Sequence, residues 1–171
     1  GKLSRGLGDV YKRQITNGTN DLMLISDAGK AVYFNEKDAR PMGRDTRGVK
    51  GITLEEKQSV IALIMPNNDN EILTVSENGF GKRSKVEDFR KTKRGAKGVI
   101  AMQLSERNGK LISANQVSEE NQVILISNKG TLVRTNVSEI SVIGRNTQGV
   151  RVIKLKANEK LNGMALAIEN D

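Results

Sequence analysis

The residues most open to chemistry in this chain are basic side chains set among glycines. In the stretch GRDTRGVKG, residues 43 to 51, Arg44, Arg47 and Lys50 lie between Gly43, Gly48 and Gly51. Glycine lets main-chain N–H groups approach phosphate oxygens, and a guanidinium offers a planar fork that fits them. A nucleotide-gripping P-loop is the first such site to test. It needs lysine directly after its second glycine and then Ser or Thr, so that the ammonium reaches the outer phosphates and the hydroxyl holds magnesium. Here Val49 follows Gly48, and Lys50 is followed by Gly51. The loop suits phosphate without being a nucleotide site.

Composition excludes other chemistries. The chain has no Cys and no His, which removes zinc sites and Cys-His or Ser-His-Asp catalysis. Carboxylates such as Asp21, Asp27, Glu36 and Asp38 could pair for acid–base work, but their equivalents elsewhere in the chain are mixed Asp, Glu, Asn and Gln at turns. Turn formation explains such a mixture better. No apolar run approaches the ~18 residues that cross a bilayer, and Gly1 to Gln14 has no apolar stretch of the kind a secretory signal needs. The lack of cysteine suits a reducing cytoplasm.

With 171 residues, 36% hydrophobic and 28% charged, the chain has room for a buried core as one domain or a small repeat array. Its net charge of +8 points to an anionic partner, most simply nucleic acid. That charge is concentrated. Between Lys82 and Lys97 stand eight basic residues (Lys82, Arg83, Lys85, Arg90, Lys91, Lys93, Arg94, Lys97) against two acidic ones, Glu87 and Asp88, a local net of +6.

The glycine loop recurs. MGRDTRGVKGI at 42 to 52 answers to TKRGAKGVIA from 92 and to IGRNTQGVRVI at 143 to 153, so that Gly48, Gly98 and Gly149 are 50 and 51 residues apart. Asn20, Asn70 and Asn121 keep the same step, as do Gly29, Gly79 and Gly130, and Arg44, Arg94 and Arg145. The chain is three copies of one unit, over about 20–69, 70–120 and 121–171.

Each copy reads as β structure. A branched apolar run (Leu22 to Ile25, Ile72 to Val75, Val123 to Ile126) ends in Asp-Ala-Gly, Glu-Asn-Gly or Asn-Lys-Gly, where glycine supplies the positive φ of a hairpin corner. A partner strand is expected at Ala31 to Asn35, Gly81 to Lys85 and Leu132 to Asn136. A third is expected to leave the glycine loop at Val49 to Thr53, Val99 to Gln103 and Val150 to Leu155, and a fourth to lie at Val60 to Met65, Leu111 to Val117 and Met164 to Ile168. No segment keeps helical apolar spacing for three turns. Four strands in each unit of ~50 residues describe a propeller-type blade, and blades must stack to bury both faces of their sheets. The fold class is all-β, a partial disc of about three four-stranded blades. WD and kelch propellers match poorly, since the chain has no Trp and lacks their repeat frames.

The repeated Gly-Arg-x-Thr-x-Gly-Val carries a more specific resemblance. Thr131 to Leu155, TLVRTNVSEISVIGRNTQGVRVIKL, resembles the last blades of the C-terminal domain of the DNA gyrase A subunit, and Asn78 to Gln103 resembles the blade before them. The likeness runs from about Asn17 to the C-terminus; the related subunit of topoisomerase IV is the nearest alternative. It implies a β-pinwheel, a disc with strands exchanged between blades, whose basic rim wraps duplex DNA and supports negative supercoiling. The family's disc usually has six blades, and three are present here. The implied partners are duplex DNA and, in the parent enzyme, the dimer of gyrase A subunits together with the gyrase B subunit. The implied chemistry of the parent is ATP-dependent, with magnesium, through domains and a second polypeptide that this chain does not supply. No cofactor is expected of the fragment itself.

Two departures stand against that pattern. The family's basic glycine box, Gln-Arg-Arg-Gly-Gly-Lys-Gly, has no counterpart; KRGAKG, Lys93 to Gly98, is similar in letters but occupies the ordinary glycine loop of its copy. The breakage-reunion domain and its nucleophilic tyrosine are also absent, since Tyr33 falls on a blade strand and Tyr11 in the leader. That leader, Gly1 to Gln14, contains DVYKRQ, which GAT GTG TAT AAG AGA CAG encodes, the mosaic end carried by transposon-based sequencing adapters. It is expected to be non-native sequence, the alternative being a disordered basic linker.

The residues expected to meet phosphate are Arg44, Arg47 and Lys50 in the first copy, Lys82, Arg83, Lys91, Lys93, Arg94 and Lys97 in the second, and Arg134, Arg145 and Arg151 in the third. For scattered cations outside 82 to 97 the competing explanation is solubility and protection of sheet edges. An aromatic content of 3% argues against single-strand binding, which stacks bases on rings. Without a helix to enter the major groove, base readout is not expected. Binding should tolerate sequence and read bendability at most. A protein-binding scaffold fits the fold but not the charge.

Overall fold

A computed structural model describes residues 15–167, built among these from strands, turns and three short 3-10 turns. The strands are β1 (Asp21–Ser26), β2 (Lys30–Asn35), β3 (Val60–Ile64), β4 (Glu71–Ser76), β5 (Phe80–Lys85), β6 (Val99–Ile100), β7 (Leu111–Val117), β8 (Gln122–Ser127), β9 (Leu132–Asn136), β10 (Val150–Arg151) and β11 (Leu161–Ala167). The leader Gly1 to Gln14 and Ile168, the expected end of the last strand, lie outside the described residues.

Each copy opens with the hairpin that its sequence announces. β1 and β2 pair antiparallel with Leu24 opposite Val32, and Gly29 turns the corner at φ +75°. The fold class is as expected, but the third strand belongs elsewhere. The segment leaving the glycine loop of one copy joins the sheet of the copy before it: the sheets run β3-β1-β2-β6 and β10-β5-β4-β7. These straps are shorter than the expected strands, with Ala31 paired to Val99 and Gly81 to Val150. Val49 to Thr53 forms no strand, because no earlier hairpin stands beside it. The third sheet, β11-β8-β9, has three strands rather than four.

Strand alternation explains where the core lies. Successive side chains leave a strand on opposite faces, and β4 uses both. Ile72 joins Met23, Ile25, Ile64, Phe80 and Leu111 in one cluster, whereas Leu73 and Val75 join Val123, Leu125, Ile140 and Leu161 in another. The two cores are therefore the two joints between copies. In β8 the alternation runs out, since Val123 and Leu125 are fully buried while Ile126 is 40% exposed on a face with no further blade. Truncating Ile72 or Leu73 to alanine would cost about 2–5 kcal/mol, as for other buried large side chains.

Candidate nucleic-acid interface

The glycine loops are where one copy grips the next. Gly98 (φ +89°) and Gly149 (φ +80°) lie so close to the preceding hairpin that an added Cβ would stand 2.6 Å from the Ala31 carbonyl oxygen and 2.8 Å from that of Gly81. The main chain seals the contact, Val152 N–H donating to Gly79 (2.8 Å) and Ile143 N–H to Arg83 (2.9 Å). A side chain at the glycine would hold the strap off its sheet.

The arginine of each loop is fixed by the same contact. Arg94 donates from Nε to the Asp38 carbonyl (3.1 Å) and from a terminal nitrogen to the Lys50 carbonyl (2.6 Å). Arg145 repeats both bonds one copy later, to Asp88 (3.1 Å) and Ile100 (2.6 Å). Two residues expected to meet phosphate thus act first as staples between neighbouring blades.

Lys82 and Arg83 leave the candidate set, contrary to expectation. Lys82 has no solvent exposure, and its Nζ donates to the carbonyls of Gly144 (2.8 Å) and Arg145 and to Ser84 Oγ (3.3 Å). Burial first, and then the Arg145 guanidinium, push its ammonium down to about 8 against an opposing pull from Asp88. Arg83, 4% exposed, donates from Nε to the Ile140 carbonyl (2.7 Å) and stands 3.8 Å from Glu71. Both sit mid-strand in β5, whose two edges are covered. A phosphate cannot reach them.

The remaining residues are exposed and differ in what already holds them. Lys91 pairs with Asp21 at 2.8 Å and lies 5.6 Å from the Tyr33 ring centre. Its hydrogen bond to Asp21 raises its affinity for a proton; partial burial pushes the Asp21 carboxyl up, but bonds from Lys91 and Asn35 outweigh this and leave it below its ordinary range. Arg134 donates to Gln122, and Arg151 stacks 5.0 Å from the Phe80 ring centre, which Arg107 also approaches, at 4.9 Å. Arg44, Arg47, Lys50, Lys93 and Lys97 are exposed and form no side-chain hydrogen bond or ion pair among the described residues. These five lie on the glycine loops of the first two copies.

Sequence reasoning missed one anchor. Glu159, 5% exposed, accepts from Ser127 Oγ (2.7 Å), Thr131 Oγ1 (2.8 Å) and Lys156 N–H (3.0 Å). The Lys156 main-chain bond, and then the two hydroxyls, hold its carboxyl down at about 2. The signal was present in the repeat, for Asn108 holds the equivalent place and caps its turn through Ser105 N–H (2.7 Å).

Among the described residues no group of three or more acidic side chains is placed to hold a metal, and no helix is long and apolar enough to cross a membrane. What the loops offer is a stepped set of uncommitted cations on a rigid frame. Comparison with known proteins gives that frame a lineage. The DNA gyrase A subunit of Pseudomonas aeruginosa is 51% identical over 150 residues, covering 88% of this chain and 16% of the relative, and that of Escherichia coli K12 is 45% identical over 155 residues, covering 91% and 18%. The chain thus spans about a sixth of the relatives it matches. A solved DNA gyrase A C-terminal domain superposes with a TM-score of 0.80 at 30% identity, over 88% of this chain and 51% of that one. The C-terminal domain of DNA topoisomerase IV shares the fold, with a TM-score of 0.82 at 22% identity over 90% and 48%. The family described as DNA gyrase C-terminal domain, beta-propeller, matches residues 20–67, 70–118 and 121–167, one match to each copy found by its glycines, and the chain belongs to that family.

Proposed function

We propose that this chain binds duplex DNA along its glycine-loop rim, without sequence specificity, and bends the duplex as part of a supercoiling DNA gyrase. The observation that carries this reading is the division of labour among its cations. Those in strands are consumed by the joints, while Arg44, Arg47, Lys50, Lys93 and Lys97 stay in solvent on loops whose spacing the joints fix. A duplex carries one charge per ~1.7 Å, so such a rim gains affinity by releasing counterions. Glycines at the same corners let main-chain N–H groups join the contact. No bond is made or broken in this task. ATP, magnesium, the gyrase B subunit, which is a separate polypeptide, and the dimer of gyrase A subunits belong to the parent enzyme under this reading, and the bacterial cytoplasm to its setting. Identity to the gyrase A polypeptide favours the supercoiling enzyme over topoisomerase IV.

Titration of a linear duplex at several salt concentrations tests the proposal. A steep negative slope of log K against log salt is expected. A flat plot would overturn it, and salt-insensitive capture of a protein partner would favour the scaffold alternative.

A further inference from the structure

The joint between copies is made twice within the chain and left half-made at each end. At the start, the segment 40 to 53 has the form of a strap, with Gly48 at φ +75° and nothing within 4 Å of the place its Cβ would take. Arg44 lacks the carbonyls that hold Arg94 and Arg145. At the far end, β9 is a sheet edge, Leu132 is 59% exposed, and Gly130 keeps φ +82° with nothing within 4 Å, whereas a Cβ at Gly29 or Gly79 would strike the Met102 or Ile153 carbonyl.

The two ends also fit each other in size and charge. In the second joint, position 81 is glycine and the strap fills it with valine, since a Cβ on Gly81 would lie 3.2 Å from Val152. In the first joint the equivalent residues are Ala31 and Ala101, both buried. At the ends the pair is reversed: the edge carries Leu132 and the strap carries Gly51. Asn108 Nδ2 donates to the Gln148 carbonyl (3.2 Å), which puts positions 108 and 148 side by side. Their equivalents at the two ends are Glu159, a carboxylate, and Arg47.

We infer that this 171-residue chain associates head to tail, the strap 40–53 of one copy docking on the β9 edge of a second copy. The register follows from the internal joints. Met42 N–H would donate to the Arg134 carbonyl and Gly51 N–H to that of Gly130, as Ile143 and Val152 do to Arg83 and Gly79. Arg44 would clasp the carbonyls of Glu139 and Arg151, and Gly51 would receive Leu132. A head-to-tail contact either closes into a ring or runs on as a filament. Two copies bring six blades, the number in the disc that the family resemblance implies, so closure at two is expected. The inference does not rest on DNA binding.

Sedimentation equilibrium of the intact chain without DNA, from micromolar to sub-millimolar concentration, tests it. A reversible species of twice the chain mass is expected. A head variant, R47E with V49D, and a tail variant, L132D, alter exposed positions, and circular dichroism checks that both stay folded. Each alone should weaken association at least about tenfold, by opposing Glu159 or by placing a charge in the apolar contact. Mixed together, they should form a one-to-one pair through the single intact contact that remains. A chain that stays monomeric throughout, a dimer that neither variant weakens, or folded variants that fail to pair would each overturn the inference.

Discussion

The Nε of Arg145 lies 3.1 Å from the main-chain oxygen of Asp88, the relationship that Arg94 bears to Asp38 at the same distance one copy earlier. A main-chain acceptor is indifferent to the side chain it carries, so the staple survives any substitution at the acceptor position. Arginine is required because one planar group must reach two carbonyls on different elements of the preceding copy. Replacing Arg94 by alanine should therefore lower unfolding free energy by about 2 kcal/mol through the lost charged hydrogen bonds. Its salt slope for duplex binding should stay near that of the parent chain. Urea unfolding and salt-dependent fluorescence anisotropy read the two effects separately.

Lys93 and Lys97 should behave in the opposite way. Both are exposed in the loop that Arg94 anchors. Exchange of either for glutamine should reduce the slope of log K against log salt by about 1 and leave the urea midpoint unmoved. Equal losses on DNA of different sequence would mark these as phosphate contacts; a loss confined to one sequence would contradict that role.

The glycines permit a comparison in which backbone conformation is held constant. Gly130 and Gly149 share a left-handed φ, +82° and +80°, but only Gly149 has a main-chain oxygen where its Cβ would go. G130A should cost about 1 kcal/mol, from conformation alone. G149A should cost about 3 kcal/mol, because the strap must also lift from Gly81. Thermal unfolding of dilute protein would measure both, and equal costs would show that the close approach carries no weight.

Lys82 gives the fold a pH dependence. Its ammonium is pushed down to about 8 in the folded chain from an ordinary value of 10.5. Between those values the unfolded chain binds more protons than the folded one, so this residue's contribution to stability rises with pH across that window and is level below about 8. Compared with a Lys82→Met variant, the parent chain should gain up to about 3 kcal/mol between pH 7.5 and 10.5. Urea unfolding of both proteins across that range checks the sign, and a constant difference would contradict it.

Local sequence carried the hairpins well, because an apolar run, a glycine corner and a partner run are all determined within fifteen residues. The expected Leu132 to Asn136 strand is β9 to the residue. Partnership between sheets was not legible in the same way. VRVIKL reads as a strand of its own copy, yet only Val150 and Arg151 pair, and they pair with β5 of the copy before. Nothing in the period of a strand says which sheet it will join. Charge was legible only in total: Lys82 and Lys97 are the same residue type, one without solvent exposure and the other in water. The repeat held the missing clue, since Lys82 occupies the place of Val32 and Val133, both of which face inward or half inward in their strands.

Because Gly98 and Gly149 bring main chain against main chain, the spacing between loops is set by atoms common to every residue. The joints behave as a ruler whose graduations do not depend on side-chain size. Mutation can then redistribute charge along the rim, as the change from Arg47 to Lys97 to Gln148 already does, without altering the pitch at which successive contacts are offered. Affinity and curvature become separately adjustable properties of one chain.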